Sequence, residues 1–456
     1  MTVATRGELG GWQSRTTFVL ALSASAVGLG NLWRFSYLVG EHGGGAFVVT
    51  YVLCLFLVAV PVMVAEVVLG SHGRGSPLAA IRRASDRSLL SRGWISLGIL
   101  ACLTGILILS YYTVVAGWAL AYARDMQAGT FDSASVALVA EHFARFLGDP
   151  LRLVFSQSLF LLCAMLLVAL GVRLGLGLLV WLVVPALVTL LALLIKFGFD
   201  NGDIPAARDF LFRVRLVDFS PEAALVALGQ AFYTLSVGVG TGISYGAYAP
   251  RRTPIGRSVI AVAVFDTVIA LLAGLAVFPV IFANNLEPSM GPGLVFFSVP
   301  YAFGNIFQGD LFGALFFLLV VLAALGSAVA IMEPAVGSLV QMTRLRRPLA
   351  VLLVGAVIWL LGLAVALSLA GEGIGDWYGT GSLLSLLDML TADCLLPLVA
   401  LLTALLVGWR MRPELLRAAL RRESAFFFSL WRLLLRYIAP PAMVLIMLAA
   451  YLGGPG

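Results

Sequence analysis

Four carboxylates lie inside long apolar runs of the chain: Glu66, Asp266, Glu333 and Asp388. At the centre of a bilayer an acidic side chain costs about 3 kcal/mol on insertion scales unless it is paired or wetted. Each is therefore a candidate for holding a cation, carrying a proton or closing a charged gate; the competing reading is a hydrogen bond between helices. Two glycine motifs accompany them, SAVGLGNLWRF from Ser25 to Phe35 and SVGVG at 236–240. In the first, Gly28 and Gly30 stand two apart and are followed by Asn31 and Arg34. Such a stretch is poorly suited to an unbroken helix, and a break in lipid frees backbone groups that need partners. Amides at the start of a half-helix attract a carboxylate, and carbonyls at the end of the other half attract a cation. Asn31, Thr234, Asp266 and Ser327 supply hard oxygen donors to complete a cation site. Arg34 and Asp388, opposite in charge, form a gate pair across the same pathway.

The elements that must position these groups are membrane helices. The 456 residues are 61% hydrophobic and only 11% charged, with a mean hydropathy of +1.03. Continuous rather than alternating apolar runs exclude a barrel and predict an all-α integral membrane protein. Eleven spans are expected, near 14–38, 44–70, 93–123, 151–171, 175–198, 222–249, 256–283, 309–341, 347–369, 380–408 and 429–452. Arginines gather in alternate loops: Arg74, Arg82, Arg83, Arg87 and Arg92; Arg251, Arg252 and Arg257; Arg344, Arg346 and Arg347; Arg410 to Arg422. The opposite loops are acidic or mixed, with Asp125, Asp200, Asp203, Glu287, Glu372 and Asp376 among them. The positive-inside rule then makes the N-terminus cytoplasmic. The net charge of +6 orients the protein and calls for no nucleic acid.

AVGLG at 26–30 in the first span returns as SVGVG at 236–240 in the sixth. The sixth span is five spans on from the first, an odd step, so the second half is expected to be inverted relative to the first. One transporter domain over 1–456 is expected, with repeats at 14–198 and 222–408 and an additional helix at 429–452. Paired breaks in inverted halves point to a binding site at mid-membrane. Glycines for helix packing are the plainer alternative.

SAVGLGNLWRF, EHGGGAF at 41–47, Pro61, Glu66, GQAFYTLSVGVG at 229–240 and LGSAVAIMEP at 325–334 together resemble the neurotransmitter:sodium symporters, especially their bacterial amino-acid transporters. The resemblance runs from about Trp12 to the last span. It implies the leucine-transporter fold, a 5+5 inverted repeat with unwound first and sixth helices. It also implies alternating-access symport of sodium and an amino acid in a bacterial inner membrane. The substrate carboxylate would then meet the amides of Leu29 and Gly30 and the hydroxyl of Tyr112. Its side chain would lie among Ala26, Gly28, Ile108, Val115, Tyr233, Thr234, Ser236, Val239, Ser327, Ala328 and Ile331. One or two sodium ions are implied. The first would use Ala26, Asn31, Thr234 and Asp266, and the second Ala24, Val27, Ala323 and Ser327. Arg34 with Asp388, lidded by Tyr233, would be the outer gate.

Gly28 stands where monoamine-transporting relatives place an aspartate, so an α-amino acid is expected. Val239 stands where the leucine transporter has a ring, which favours a sizeable apolar or aromatic side chain. Asp266 falls where many relatives have asparagine, and a fixed charge there predicts no chloride requirement. Gly326 replaces a usual ligand of the second sodium, which puts the ion count in question. The inner gate pair of the family is replaced by Leu9 and Gln341, with Arg6 nearby, which predicts less restrained inward opening. Gly175 and Pro185, ten apart, match a spacing that some relatives use to unwind the fifth helix. Packing explains it equally well.

Two other readings stay open: a non-transporting amino-acid sensor on this fold, and proton rather than sodium coupling. A membrane enzyme does not fit, because His42, His72 and His142 are scattered over loops and the four cysteines have no ligand spacing.

Overall fold

The computed structural model describes residues 11–12, 14–286, 294–371 and 382–453. Arg6, Leu9, Glu287, Glu372 and Asp376 lie outside the described residues. Among those described, nine helices are long and apolar enough to cross a bilayer, from Gly45–Gly73 to Ala425–Leu452. A tenth crossing is the first span, two halves (Arg15–Ala26 and Gly30–Glu41) bent by 51° at their junction. The eleventh expected crossing is the sixth span, and it is split. Its halves, Pro221–Thr234 and Thr241–Tyr248, are each shorter than the roughly 20 residues that a span requires. The two expected spans that carry the glycine motifs, the first and the sixth, are thus the two that are broken.

Local chemistry sets the starts of both broken spans. Ser14 and Ser220 cap their first halves, each hydroxyl accepting from an amide three residues on, at 3.1 and 3.0 Å. The N-cap preference for serine follows from this geometry. The first half of span one ends where Val27 turns extended, at φ −71° and ψ 111°. In span six the chain enters the left-handed region at Ser236, Gly238 and Gly240. That region suits glycine and explains the spacing of SVGVG.

The two broken spans sit inside a scaffold of the longest helices. Span three (Arg92–Gln127) and span eight (Gly309–Thr343) run along each other, and span eight packs against the first half of the first span. Span two packs against the second half of span six, with backbone almost touching backbone. A Cβ on Gly70 would lie 1.8 Å from the Ile243 carbonyl oxygen, and one on Gly246 2.4 Å from that of Val67. The last span is tied back to span two by the Trp431 indole, which donates to the Pro61 carbonyl at 2.9 Å. Large apolar side chains such as Phe155, Leu166, Trp181 and Leu360 remain exposed, as a surface meeting lipid requires.

The fifth helix is not unwound between Gly175 and Pro185. Gly177–Asn201 is helical straight through Pro185. A Cβ on Gly175 would lie 1.8 Å from the Leu167 carbonyl oxygen, so close packing accounts for that glycine.

Gly70→Ala is expected to lower the thermal unfolding midpoint of the detergent-purified protein, by overpacking of about 2 kcal/mol. Gly229→Ala, where an added Cβ meets nothing within 4 Å, is the matched control and is expected to leave the midpoint unchanged.

Candidate functional site

The break in the first span is closed chemically by side chains from three other helices. The Gly28 amide donates to Asn31 Oδ1 at 3.0 Å. The Leu29 amide donates to the Tyr112 hydroxyl at 3.4 Å, and that hydroxyl donates on to the Ala324 carbonyl at 3.4 Å. The Gly30 carbonyl accepts from Gln230 Nε2 at 2.9 Å. The Ser25 and Val27 carbonyls accept from Ser327 Oγ at 3.0 and 3.2 Å. Gly28 is also a steric requirement here. A Cβ would lie 2.3 Å from Ser327 Oγ and 3.0 Å from the Tyr112 hydroxyl.

Glu66 does the corresponding work for the sixth span. Fully buried, it accepts from the Gly238 amide at 2.8 Å and from the Gly242 amide at 3.2 Å. The carboxylate therefore faces the start of the half-helix Thr241–Tyr248, where exposed amides favour negative charge.

Between the two breaks lies a narrow cavity of about 20 Å³, bordered by Gly28, Tyr112, Tyr233, Val239, Ile331 and Leu396 among others. It collects Ala26, Leu29, Gly30, Ile108, Thr234, Ser236 and Ser327 as well. Val115 and Ala328, expected in this wall, are buried but do not line it. On span eight, Ser327 and Ile331 are one turn apart and share the inward face. Ala328, one residue on, is rotated by about 100° from Ser327 around the helix. Val115 lies about a turn beyond Tyr112, which lines the cavity. Leu396 borders the cavity instead; one leucine in a leucine-rich span carries no sequence signal beyond the Pro397 next to it.

Asp266 is the centre of the polar constellation. It is fully buried and accepts from Asn31 Nδ2 at 2.8 Å, from Thr234 Oγ1 at 2.9 Å and from the Tyr51 hydroxyl at 3.2 Å. None of these neighbours is cationic, and among the described ion pairs Asp266 has none. A second oxygen-rich spot surrounds Ser327. There Gly326 lets span eight approach the first so closely that a Cβ would stand 2.5 Å from the Ala24 carbonyl oxygen. Ala323 is buried one turn before Ser327. The Ser327 hydroxyl meets the carbonyl of Ser25, not expected in this set, as well as that of Val27.

Toward one face, Arg34 Nη2 lies 4.0 Å from Asp388 Oδ2, and its guanidinium sits 4.9 Å above the Tyr233 ring. Tyr111 steadies Asp388 by donating to Oδ1 at 3.1 Å. Toward the opposite face, Gln341 Oε1 accepts from the Ser76 amide at 2.8 Å. Nearby, Glu333 holds an ion pair with Arg347 and accepts from the Tyr248 hydroxyl at 2.6 Å. Trp12 packs edge-on against Tyr245 and Tyr248, and its amide donates to the Tyr248 carbonyl at 3.1 Å. That face has its own ties even though Leu9 and Gln341 cannot pair by charge.

Sequence reading missed Tyr51, Tyr111, Gln230, Arg347 and Leu396. For Gln230 and the tyrosines the signal was a polar atom in an apolar run. For Arg347, its place in an arginine-rich loop hid the partner.

Comparison with known proteins agrees with this architecture. The family model for the sodium:neurotransmitter symporter family matches residues 9–132 and 144–453. An uncharacterized sodium-dependent transporter of Bacillus subtilis strain 168, YhdH, is 32% identical over 443 residues, covering 96% of each chain. The mouse sodium- and chloride-dependent GABA transporter 2 is 26% identical over 455 residues, covering 87% of this chain and 72% of its own. The crystal structure of MhsT in complex with L-phenylalanine superimposes with a TM-score of 0.87 at 34% identity. It covers 97% of this chain and 99% of that one.

Glu66→Ala is expected to leave two buried amides without acceptors, at about 1–3 kcal/mol each, read as a fall in thermal stability. Glu333→Gln strands the Arg347 charge at a cost of about 3 kcal/mol or more. Thermal unfolding of the double variant Glu333→Gln/Arg347→Gln is expected to recover more than half of that loss.

Proposed function

The chain belongs to the sodium:neurotransmitter symporter family, and on that premise we propose that it couples sodium to the uptake of a sizeable apolar or aromatic α-amino acid, without needing chloride. It is a multi-pass membrane transporter of the leucine-transporter fold and not an enzyme. The observation that carries the finer reading is Asp266, a buried carboxylate held by one amide nitrogen and two hydroxyls and short of one positive charge. Hard oxygen donors with one fixed negative charge suit a small monovalent cation.

In this reading sodium is cargo held by Asp266, Asn31, Thr234 and the Ala26 carbonyl. The substrate carboxylate, on the amides of Leu29 and Gly30 and the Tyr112 hydroxyl, joins the shell of that ion. Sharing the ion couples the two bindings, because each improves the other's site by the same factor. Asp266 also replaces the anion that chloride-dependent relatives require. A second ion would rest on Ser327 and the carbonyls of Ala24, Val27 and Ala323, with one ligand fewer because of Gly326. Tyr233, Arg34 and Asp388 close the outer side. The halves 14–198 and 222–408 move as inverted repeats, with the arginine-rich loops and the N-terminus in the cytoplasm. MhsT is described as a complex with L-phenylalanine, which supports an aromatic substrate. The cavity of about 20 Å³ must widen to take one, and the two breaks are the hinges that permit it.

The test is uptake of labelled amino acids into proteoliposomes under a sodium gradient. Uptake is expected to vanish when potassium replaces sodium and to persist within twofold when gluconate replaces chloride. Asp266→Ala is expected to reduce sodium-driven uptake at least tenfold. Uptake driven equally by a proton gradient alone would assign Asp266 to a proton, and binding without uptake would make the protein a sensor.

A further inference from the structure

Away from the transport site, a second cavity of about 310 Å³ opens on the arginine-rich face. Three separate connections converge on it. The end of span two brings His72 and Arg74, the link between spans six and seven brings Arg251 and Thr253, and the link before the last span brings Arg421 and Arg422. No carboxylate lines it. The nearest acidic neighbour in sequence, Glu423, is buried and already accepts from the Arg257 amide and Nε, both at 3.2 Å. Asp86 is committed to Arg92 at 3.8 Å. His72 faces the further cation Arg87, 3.0 Å from its Nε2. Among the described residues none of the four lining arginines has an ion-pair partner.

Basic residues on this face orient a membrane protein, but orientation alone requires no concave site. Here the like charges crowd one another. Burial, and then the charge of Arg251, hold the Arg74 guanidinium below its ordinary value. Arg74 cannot swing away, because it also caps the half-helix Thr241–Tyr248 by donating to the Ala247 and Ala249 carbonyls. Planar guanidinium groups gathered around one hollow match phosphate oxygens better than a spherical halide, and basic pockets between membrane helices take phospholipid headgroups.

We propose that this cavity is a binding site for a phosphate-bearing anion, either an anionic phospholipid headgroup or free phosphate. Binding there joins span two, the second half of span six and the loop before the last span. It therefore bears on the half-helix that follows the break bordering the transport cavity. The site stands on the membrane fold alone and does not depend on which amino acid is carried.

The full-length protein is placed in nanodiscs of phosphatidylcholine with and without phosphatidylglycerol, and lipid retention is read by native mass spectrometry. In parallel, thermal unfolding in lipid-depleted detergent is titrated with sodium phosphate against sodium gluconate at equal sodium. Arg251→Gln/Arg422→Gln is expected to weaken retention or stabilisation about 30-fold, since each basic group near an anionic surface contributes roughly fivefold. Arg344→Gln/Arg346→Gln, a loss of equal charge on the same face outside the cavity, is expected to change it less than threefold. Arg251→Lys/Arg422→Lys keeps the charges and is expected to retain binding, which separates charge loss from misfolding. Selective retention of phosphatidylglycerol assigns the lipid source, and saturable stabilisation by phosphate assigns the free one. No preference for either anion, or equal losses in both glutamine pairs, would overturn the proposal. Sodium-driven uptake, measured separately, reports on the transport reading alone.

Discussion

A helix interrupted in hydrocarbon leaves amides and carbonyls that no water can reach, and each must be given a partner by the protein. The fold can be read as the solution to that requirement at two places. The first break is satisfied by Tyr112 from span three, Gln230 from span six and Ser327 from span eight. The second is satisfied by Glu66 from span two. Remove those partners and no physical reason remains for the two half-helices to face one another. The long helices matter because they hold the partners in place, and the partners hold open the space where a ligand's own polar groups fit.

The intramembrane carboxylates show how differently a buried charge can be compensated. Glu66 is balanced by backbone amides at a half-helix start, Glu333 by Arg347 and a tyrosine, and Asp388 by Arg34 at 4.0 Å with Tyr111 beside it. Asp266 receives hydroxyl and amide donors but no cation from the described chain. Burial of an uncompensated charge is costly, so this position is where binding an external cation returns the most free energy. Placing it against the break in the first span makes that gain depend on the geometry of the half-helices.

Close backbone contact is the other requirement. The half-helix Thr241–Tyr248 lies so near span two that neither Gly70 nor Gly246 tolerates a Cβ. Span eight approaches the first at Gly326 in the same way. In lipid there is no hydrophobic drive between helices, and small residues supply the intimate contact instead. The glycine at 326 thus removes a possible oxygen ligand and at the same time brings the helices together. Gly28 has the same double character, since the substrate class it suggests and the clash with Ser327 it avoids cannot be separated by sequence.

The residues by themselves determined the membrane-helical class, both helix breaks, the four intramembrane carboxylates and most of the cavity border from Ala26 to Ile331. The first three follow from composition, from glycine spacing and from the cost of charge in lipid, which are local properties; the cavity border was implied only by the family resemblance. Tertiary structure alone decided which partner each polar group received. That Glu66 serves the sixth span, that Glu333 pairs with Arg347 and that Leu396 rather than Val115 borders the cavity depend on helix rotation and on contacts between distant residues. It also decided that Pro185 leaves the fifth helix intact, because packing at Gly175 overrides the local tendency to unwind. The arginine-lined hollow is the clearest case. Its charges come from three connections far apart in the chain, at Arg74, Arg251 and Arg421, each ordinary where it stands, and only folding brings them to one place.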